Sequence, residues 1–226
     1  MIVYKNKMDA VKSLLLVVGV LVVVKQALLP FTQVFAGPIS TLSAIIVATL
    51  CLRRYGFCWA DLGFKKPESL MRTLLWSGAV FIFILVASGL GGALADLFFE
   101  RAPRTNRFGD IQGDWAAFLL YLGLIWTHAA FFEELLFRAF IISHLQDVFG
   151  SNRLATPAAV ILAALFFGYR HYYYQGMHGA VVTGLIGLSL GTYYARRGFK
   201  NMWPLILAHG YTNSLGFIFR FLGVED

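Results

Sequence analysis

Residues 129–140 read AAFFEELLFRAF, and three ionisable groups in that stretch, Glu133, Glu134 and Arg138, decide how the chain is read. The flanks are apolar: WAAFLLYLGLIW over 115–126 and AFII over 139–142. A run this long and apolar reads as a membrane-spanning helix. A carboxylate inside such a helix costs about 2.5–3.5 kcal/mol at mid-membrane. It must meet water, a proton or a group on another span. Intramembrane ionisable residues are functional candidates by default.

The rest of the chain agrees with a membrane reading. Of its 226 residues, 58% are apolar and 14% charged, and the apolar residues fall in long blocks. The net charge of +7 comes from short basic groups between those blocks. They form no aromatic-basic face, so they signal topology and not a nucleic-acid partner. Cys51 and Cys58 are too few for a disulfide framework or a metal site. Lys5, Lys7 and Lys12 precede an apolar run, as in a signal peptide, and VFA at 34–36 resembles a cleavage site. Lys25 interrupts the run and VFA lies far beyond it, so a retained first span is expected.

The expected fold is an all-α, polytopic transmembrane helix bundle. Seven spans are expected, near 11–33, 38–53, 73–99, 115–142, 155–173, 178–195 and 202–222, with eight as the upper count. Residues 1–114 would hold the first three spans and a cytoplasmic loop, and 115–222 a catalytic core. One set of connections carries Lys5, Lys7, Lys12, Arg53, Arg54, Lys65, Lys66, Arg72, Arg153, Arg196, Arg197 and Lys200. The alternate set carries Arg101, Arg104 and Arg107, with Arg220 near the C-terminus. The positive-inside rule then places the N-terminus in the cytoplasm and the C-terminus outside. Residues 53–72 would form a cytoplasmic loop partly on the membrane surface. Trp115 and Trp203 fall at span starts, as interfacial tryptophans do.

Helical spacing sorts the polar groups. Glu134 and Arg138 are four apart, so they share a face and can pair. Glu133 points elsewhere, with Phe137 as its neighbour on that face. A structural reading as a helix–helix polar clamp stands beside the functional one. His209 and Asn213 are four apart in LILAHGYTNS, and Phe167 and His171 in FFGYRH. His128 lies upstream of the glutamates in the same span, while His144 and His178 lie near span ends.

This set suits hydrolysis. A carboxylate and an imidazole can share a water and remove its proton, as Glu133 with His171. Imidazole and amide N–H groups can hold the oxyanion, as His209 with Asn213. Two histidines and a carboxylate also match a catalytic zinc set, Glu133, His171 and His209. GLSLG at 187–191 fits G-x-S-x-G, but that elbow needs a strand before the serine. Here Ser189 lies in a helix-like run, and Gly187 and Gly191 read as a small-residue packing face. The zinc-protease signature H-E-x-x-H is absent from the sequence. One feature sits awkwardly. At 1.5 Å per residue, Glu133 lies roughly 27 Å from the outer start of its span, and His171 roughly 25 Å from the inner start of its own. Tilted spans, or a 145–157 segment dipping into the membrane, would bring them level.

The three motifs resemble those of the CPBP family of intramembrane proteases, which includes type II CAAX prenyl endopeptidases and bacteriocin-immunity, Abi-like relatives. Its E-E-x-x-x-R is matched by Glu133, Glu134 and Arg138, its F-x-x-x-H by Phe167 and His171, and its H-x-x-x-N by His209 and Asn213. The resemblance covers about 115–222. It implies a glutamate-dependent endopeptidase in which Glu133 and His171 activate water and His209 and Asn213 stabilise the oxyanion. Glu134, Arg138 and Phe167 would support the site. No cofactor is expected, with zinc the alternative. The expected substrate is a membrane-associated or exported peptide or protein, cut near its C-terminus. The expected location is the lipid bilayer of a bacterial inner (cytoplasmic) membrane. The competing readings are a non-catalytic membrane peptide-binding or immunity protein, and a proton-coupled transporter.

Overall fold

In the computed structural model, which describes residues 3–101, 109 and 111–224, every long element is a helix and no strand occurs among the described residues. Six helical elements form the bundle: α1 (Lys7–Leu28), α2 (Ala36–Arg54), α3 (Leu70–Asp96), α4 (Trp115–Phe149), α5 (Ala155–Arg196) and α6 (Trp203–Phe221). The count is six, not the seven or eight expected, because the spans placed at 155–173 and 178–195 are two arms of α5. Gly176 interrupts α5 with φ 63° and ψ −168°, a combination essentially closed to residues with a Cβ. Helices α1, α2, α3 and α4 are long and apolar enough to cross a membrane. Arg104 and Arg107, part of the expected outer charge set, lie outside the described residues.

The arms of α5 fold back on each other through glycine. A Cβ on Gly168 would lie 3.0 Å from the Cα of Gly184 and closer still to the carbonyl of Ala180. Gly187 would meet Phe167 at 3.1 Å and Gly191 would meet Val160 at 3.0 Å. The 187–191 pair is therefore a packing face, as its spacing suggests. Ser189 sits within helix α5 and does not line the cavity that holds Glu133 and His171.

Helix α3 shows how the bundle meets lipid. Thr73, Ser77, Val80, Ile84, Ala87, Gly91 and Ala95 recur every three or four residues and are its buried stripe. Leu75, Ile82, Phe83 and Leu90 between them are exposed. A helix with one narrow buried stripe and an apolar remainder needs an apolar solvent on its outer side. Caps mark where the chain enters helices: Asn6 accepts from the Met8 N–H, Ser69 from Arg72, and Asp114 from Ala116 and Ala117.

At the end bearing the Lys/Arg-rich connections the chain packs onto itself. Tyr4 donates its hydroxyl to His144 Nε2 at 2.8 Å, and His144 donates Nδ1–H to the Phe140 carbonyl. Burial pushes the Tyr4 phenol up to about 12, so it stays a donor. His144 is fully buried, not interfacial as its position near a span end suggests. Part of the 53–72 loop also tucks inward. Tyr194 Oη donates to the Leu62 carbonyl at 2.7 Å, Met202 N–H to Gly63 at 3.1 Å, and Trp203 Nε1–H to Lys65 at 3.1 Å. Leu62 is fully buried.

Helix α4 runs on to Phe149, seven residues beyond the expected end at 142. Glu133 is thus sixteen residues from that end, and His171 is sixteen residues from the start of α5 at Ala155. The two helices are joined by a short reversal, so equal distances put the residues level. The mismatch expected from the sequence came from ending α4 too early.

Candidate active site

Residues from all six helices wall a cavity of about 390 Å³ inside the bundle. Glu133, His171, His209 and Asn213 all line it, on α4, α5 and α6. Phe167 lines it too, with its ring 4.7 Å from that of His171. The volume suits a short peptide segment or a drug-sized ligand.

Glu134 and Arg138 lie behind this wall. Arg138 Nη1 is 3.1 Å from Glu134 Oε1, the expected pair, and both residues are buried. The same Glu134 oxygen lies 2.8 Å from His209 Nδ1. A carboxylate only accepts, so Nδ1 carries the proton and donates. Arg138 also stacks over the Phe167 ring at 4.4 Å. Glu134 Oε2 and Arg138 Nη2 are buried without a hydrogen-bond partner among the described residues. The ion pair therefore depends on its own Coulomb attraction and its packing, which makes it costly to break from one side.

His171 donates Nδ1–H to the Phe167 carbonyl at 2.8 Å. This fixes the neutral tautomer with a lone pair on Nε2. His209 is likewise held through Nδ1–H, here by a carboxylate. With Nδ1 committed to Glu134, its Nε2 can donate only if the ring is an imidazolium, with Glu134 as its counter-charge.

Glu133 does have a partner on its own helix, contrary to the expectation from α-helical spacing. His128 Nε2 lies 3.5 Å from Glu133 Oε1 and 3.2 Å from Thr41 Oγ1. The cause is local winding. Helix α4 is π-helical over Ile125–Phe132 and Glu134–Ile142, and the Glu133 N–H donates to the carbonyl of His128, five residues back. Residues five apart then stack, where an α-helix would set them about 140° apart. Extended π-winding is rare and recurs at functional sites.

Two buried cations complete the surroundings. Arg170 donates Nη1 to the Leu21 carbonyl at 3.1 Å and Nη2 to Ser40 and Thr41 at 3.3 and 3.4 Å. Lys25 donates to the Arg170 carbonyl at 2.5 Å and sits 3.7 Å from the Tyr173 ring centre. Motif spacing misses His128, Lys25 and Arg170. The available signal was a lysine interrupting the first apolar run and an arginine beside the histidine of FFGYRH. His178 lies away from the cavity and pairs with Asp96 at 2.9 Å. Among the described residues no three His, Cys, Asp or Glu side chains are gathered as a metal-ligand set. Glu133, His171 and His209 share the cavity wall.

Residues 115–215, just under half of the chain, match the family described as Type II CAAX prenyl endopeptidase Rce1-like. The match begins with α4 and takes in every cavity residue named from the three motifs. No curated protein and no solved structure gives a significant match.

Proposed function

We propose, on the premise that residues 115–215 belong to the Rce1-like type II CAAX prenyl endopeptidase family, that this chain is an intramembrane endopeptidase with Glu133 as its general base. The family is one of membrane proteases, and the apolar helices fit an integral membrane protein. The observation that carries the residue assignment is the meeting of Glu133, His171, His209 and Asn213 from three helices on one cavity.

In this reading a substrate peptide bond lies in the cavity with one water. His171 Nε2 accepts a hydrogen bond from the water and orients it. Glu133 takes the water's proton as its oxygen attacks the carbonyl carbon. His209 Nε2–H and the Asn213 amide stabilise the oxyanion. Collapse breaks the C–N bond, and the leaving amine takes the proton held by Glu133. The products are a new carboxyl terminus and a new amine.

The reading is metal-free. A zinc bound by Glu133, His171 and His209 would remove His209 from the oxyanion site. It would also leave no carboxylate as base, since Glu134 is held by Arg138 and His209. Stoichiometric zinc in active protein, with activity lost on its removal and restored on its return, would overturn this part and leave the protease assignment standing.

The primary test is cleavage of membrane-associated peptides by the purified full-length protein. Glu133→Gln is isosteric and is expected to keep the fold and lose about 10²–10⁴-fold in turnover. Cleavage at the wild-type rate by Glu133→Gln sinks the base assignment. Peptide binding with no cleavage by either protein favours the non-catalytic reading.

A further inference from the structure

The same cavity has a direction. Its lining includes Lys25 at the end of α1, Val34 and Gly37 at the entry to α2, Tyr173 and Gln175 at the turn of α5, and Arg220 at the end of α6. Each of these positions is at one end of the bundle. The first half of α4, from Tyr121 to Glu133, supplies the facing wall. None of the cavity's lining comes from the connections that carry the basic residues.

The charges at the two ends differ sharply. Of the 19 Lys and Arg residues, twelve lie before α1 or in its first turns, from the last turn of α2 to the first turn of α3, between α4 and α5, and around the join of α5 to α6. Those positions form a common end, since Lys7 Nζ reaches the Val148 carbonyl, Tyr194 the Leu62 carbonyl and Met202 the Gly63 carbonyl. Among the described residues only Arg101 and Arg220 belong to the opposite end, beside Asp96, Glu100 and Asp114. Lys25, Arg138 and Arg170 are inside the bundle. The bias is large, and it is spread over several short connections, where the positive-inside rule is strongest. It does not depend on the number of spans. The arms of α5 leave and return to the same end, so α6 emerges opposite the N-terminus whether or not those arms cross fully.

We propose that the cavity opens on the side of the membrane away from the cytoplasm, so that the substrate is a peptide segment exposed on that outer side, such as the membrane-proximal part of an exported protein. A lipid-modified C-terminus presented from the cytoplasm would have to reach the site past the basic end, where Leu62, Tyr194, Met202 and His144 are buried and packed together. The outer end instead offers tyrosines and cations to a peptide backbone and its acidic groups. This inference rests on the endopeptidase reading for the word substrate; the side on which the cavity opens stands without it.

The test uses the full-length chain in sealed, right-side-out membrane vesicles and a membrane-impermeant thiol reagent. Cys58 is exposed, lies in the loop at the basic end, and serves as the internal reference. Gln33→Cys, at an exposed position in the loop between α1 and α2, and Gln175→Cys, on the cavity wall, are each made in a Cys58→Ser background. Both are expected to be labelled in sealed vesicles, while Cys58 in the unmodified chain is labelled only after detergent opens them. Labelling of Cys58, with loss of labelling at positions 33 and 175, overturns the proposal. A second arm adds an impermeant peptide library to right-side-out and inside-out vesicles containing active protein, with Glu133→Gln as the blank. Cleavage confined to right-side-out vesicles is expected, and cleavage confined to inside-out vesicles overturns the proposal. If labelling follows expectation and neither orientation cleaves above the blank, the endopeptidase reading fails while the outward opening holds.

Discussion

His209 Nδ1 lies 2.8 Å from Glu134 Oε1, so the second glutamate of the pair, not the first, joins α6 to α4. The same oxygen holds Arg138. Glu134 is thereby the hinge between an intrahelical ion pair and a cavity histidine, and Glu133 is left facing the cavity. The division of labour between adjacent carboxylates follows from their facing different sides of one helix.

Arg138→Ala leaves Glu134 buried with only His209 to balance it. A loss of about 3–5 kcal/mol is expected, the usual cost of breaking a buried pair from one side. Thermal unfolding in detergent should show a marked fall in Tm and poorer yield. The double change Arg138→Leu with Glu134→Leu removes both charges and should recover much of the stability, although His209 then loses its partner. An unchanged Tm for Arg138→Ala contradicts the role of the pair.

His128 is expected to be a positioning residue for Glu133. His128→Leu should lower kcat more than it changes KM, because the imidazole lies 3.5 Å from the carboxylate that takes the proton. His128→Gln can place an amide N–H near Nε2 and should restore much of the rate. The readout that excludes a merely structural role is the infrared stretch of the Glu133 carboxyl, identified by its loss in Glu133→Gln. It should shift in His128→Leu and return towards its position in His128→Gln. An unmoved band means that the 3.5 Å approach has no influence on the carboxyl.

Asn213→Ala should reduce kcat by about 10²–10³-fold, the range for removing one oxyanion donor. KM should change little, because the donor works on charge that develops after binding. The position is only partly buried and carries no packing role that the structure reveals, so Tm should hold. A rise in KM with kcat intact would make Asn213 a binding residue instead.

The α5 turn gives a prediction on packing alone. Gly168→Ala puts a Cβ against the backbone of Ala180 and Gly184, which cannot rotate away. Gly184→Ala meets the Ala164 carbonyl at 3.7 Å and the Gly168 Cα at 3.9 Å, ordinary contact distances. The first change should destabilise by about 1–3 kcal/mol, as overpacking does, and the second should be close to neutral. Equal Tm shifts would mean that the arms are not packed as described.

The sequence by itself determined the apolar solvent of the helices and a set of candidate polar groups. Long apolar blocks require a helical bundle in lipid, because unpaired backbone cannot face hydrocarbon. The cost of ionisable groups in those blocks singled out Glu133, Glu134, Arg138, His171 and His209, four-residue spacing added Asn213, and that spacing was right for the pairing of Glu134 with Arg138. Tertiary structure decided what spacing cannot express. The fold-back of α5 depends on one φ/ψ pair at Gly176 and on contacts of glycines with residues twelve and more positions away. The partner of Glu133 depends on π-winding, which moves His128 onto its face although no local residue pattern announces it. The bond from Glu134 to His209 joins residues 75 apart in the chain, and periodicity carries no information about which faces of different helices meet. Helical period arises from the geometry of one chain segment, whereas these contacts arise from how several segments share a limited interior.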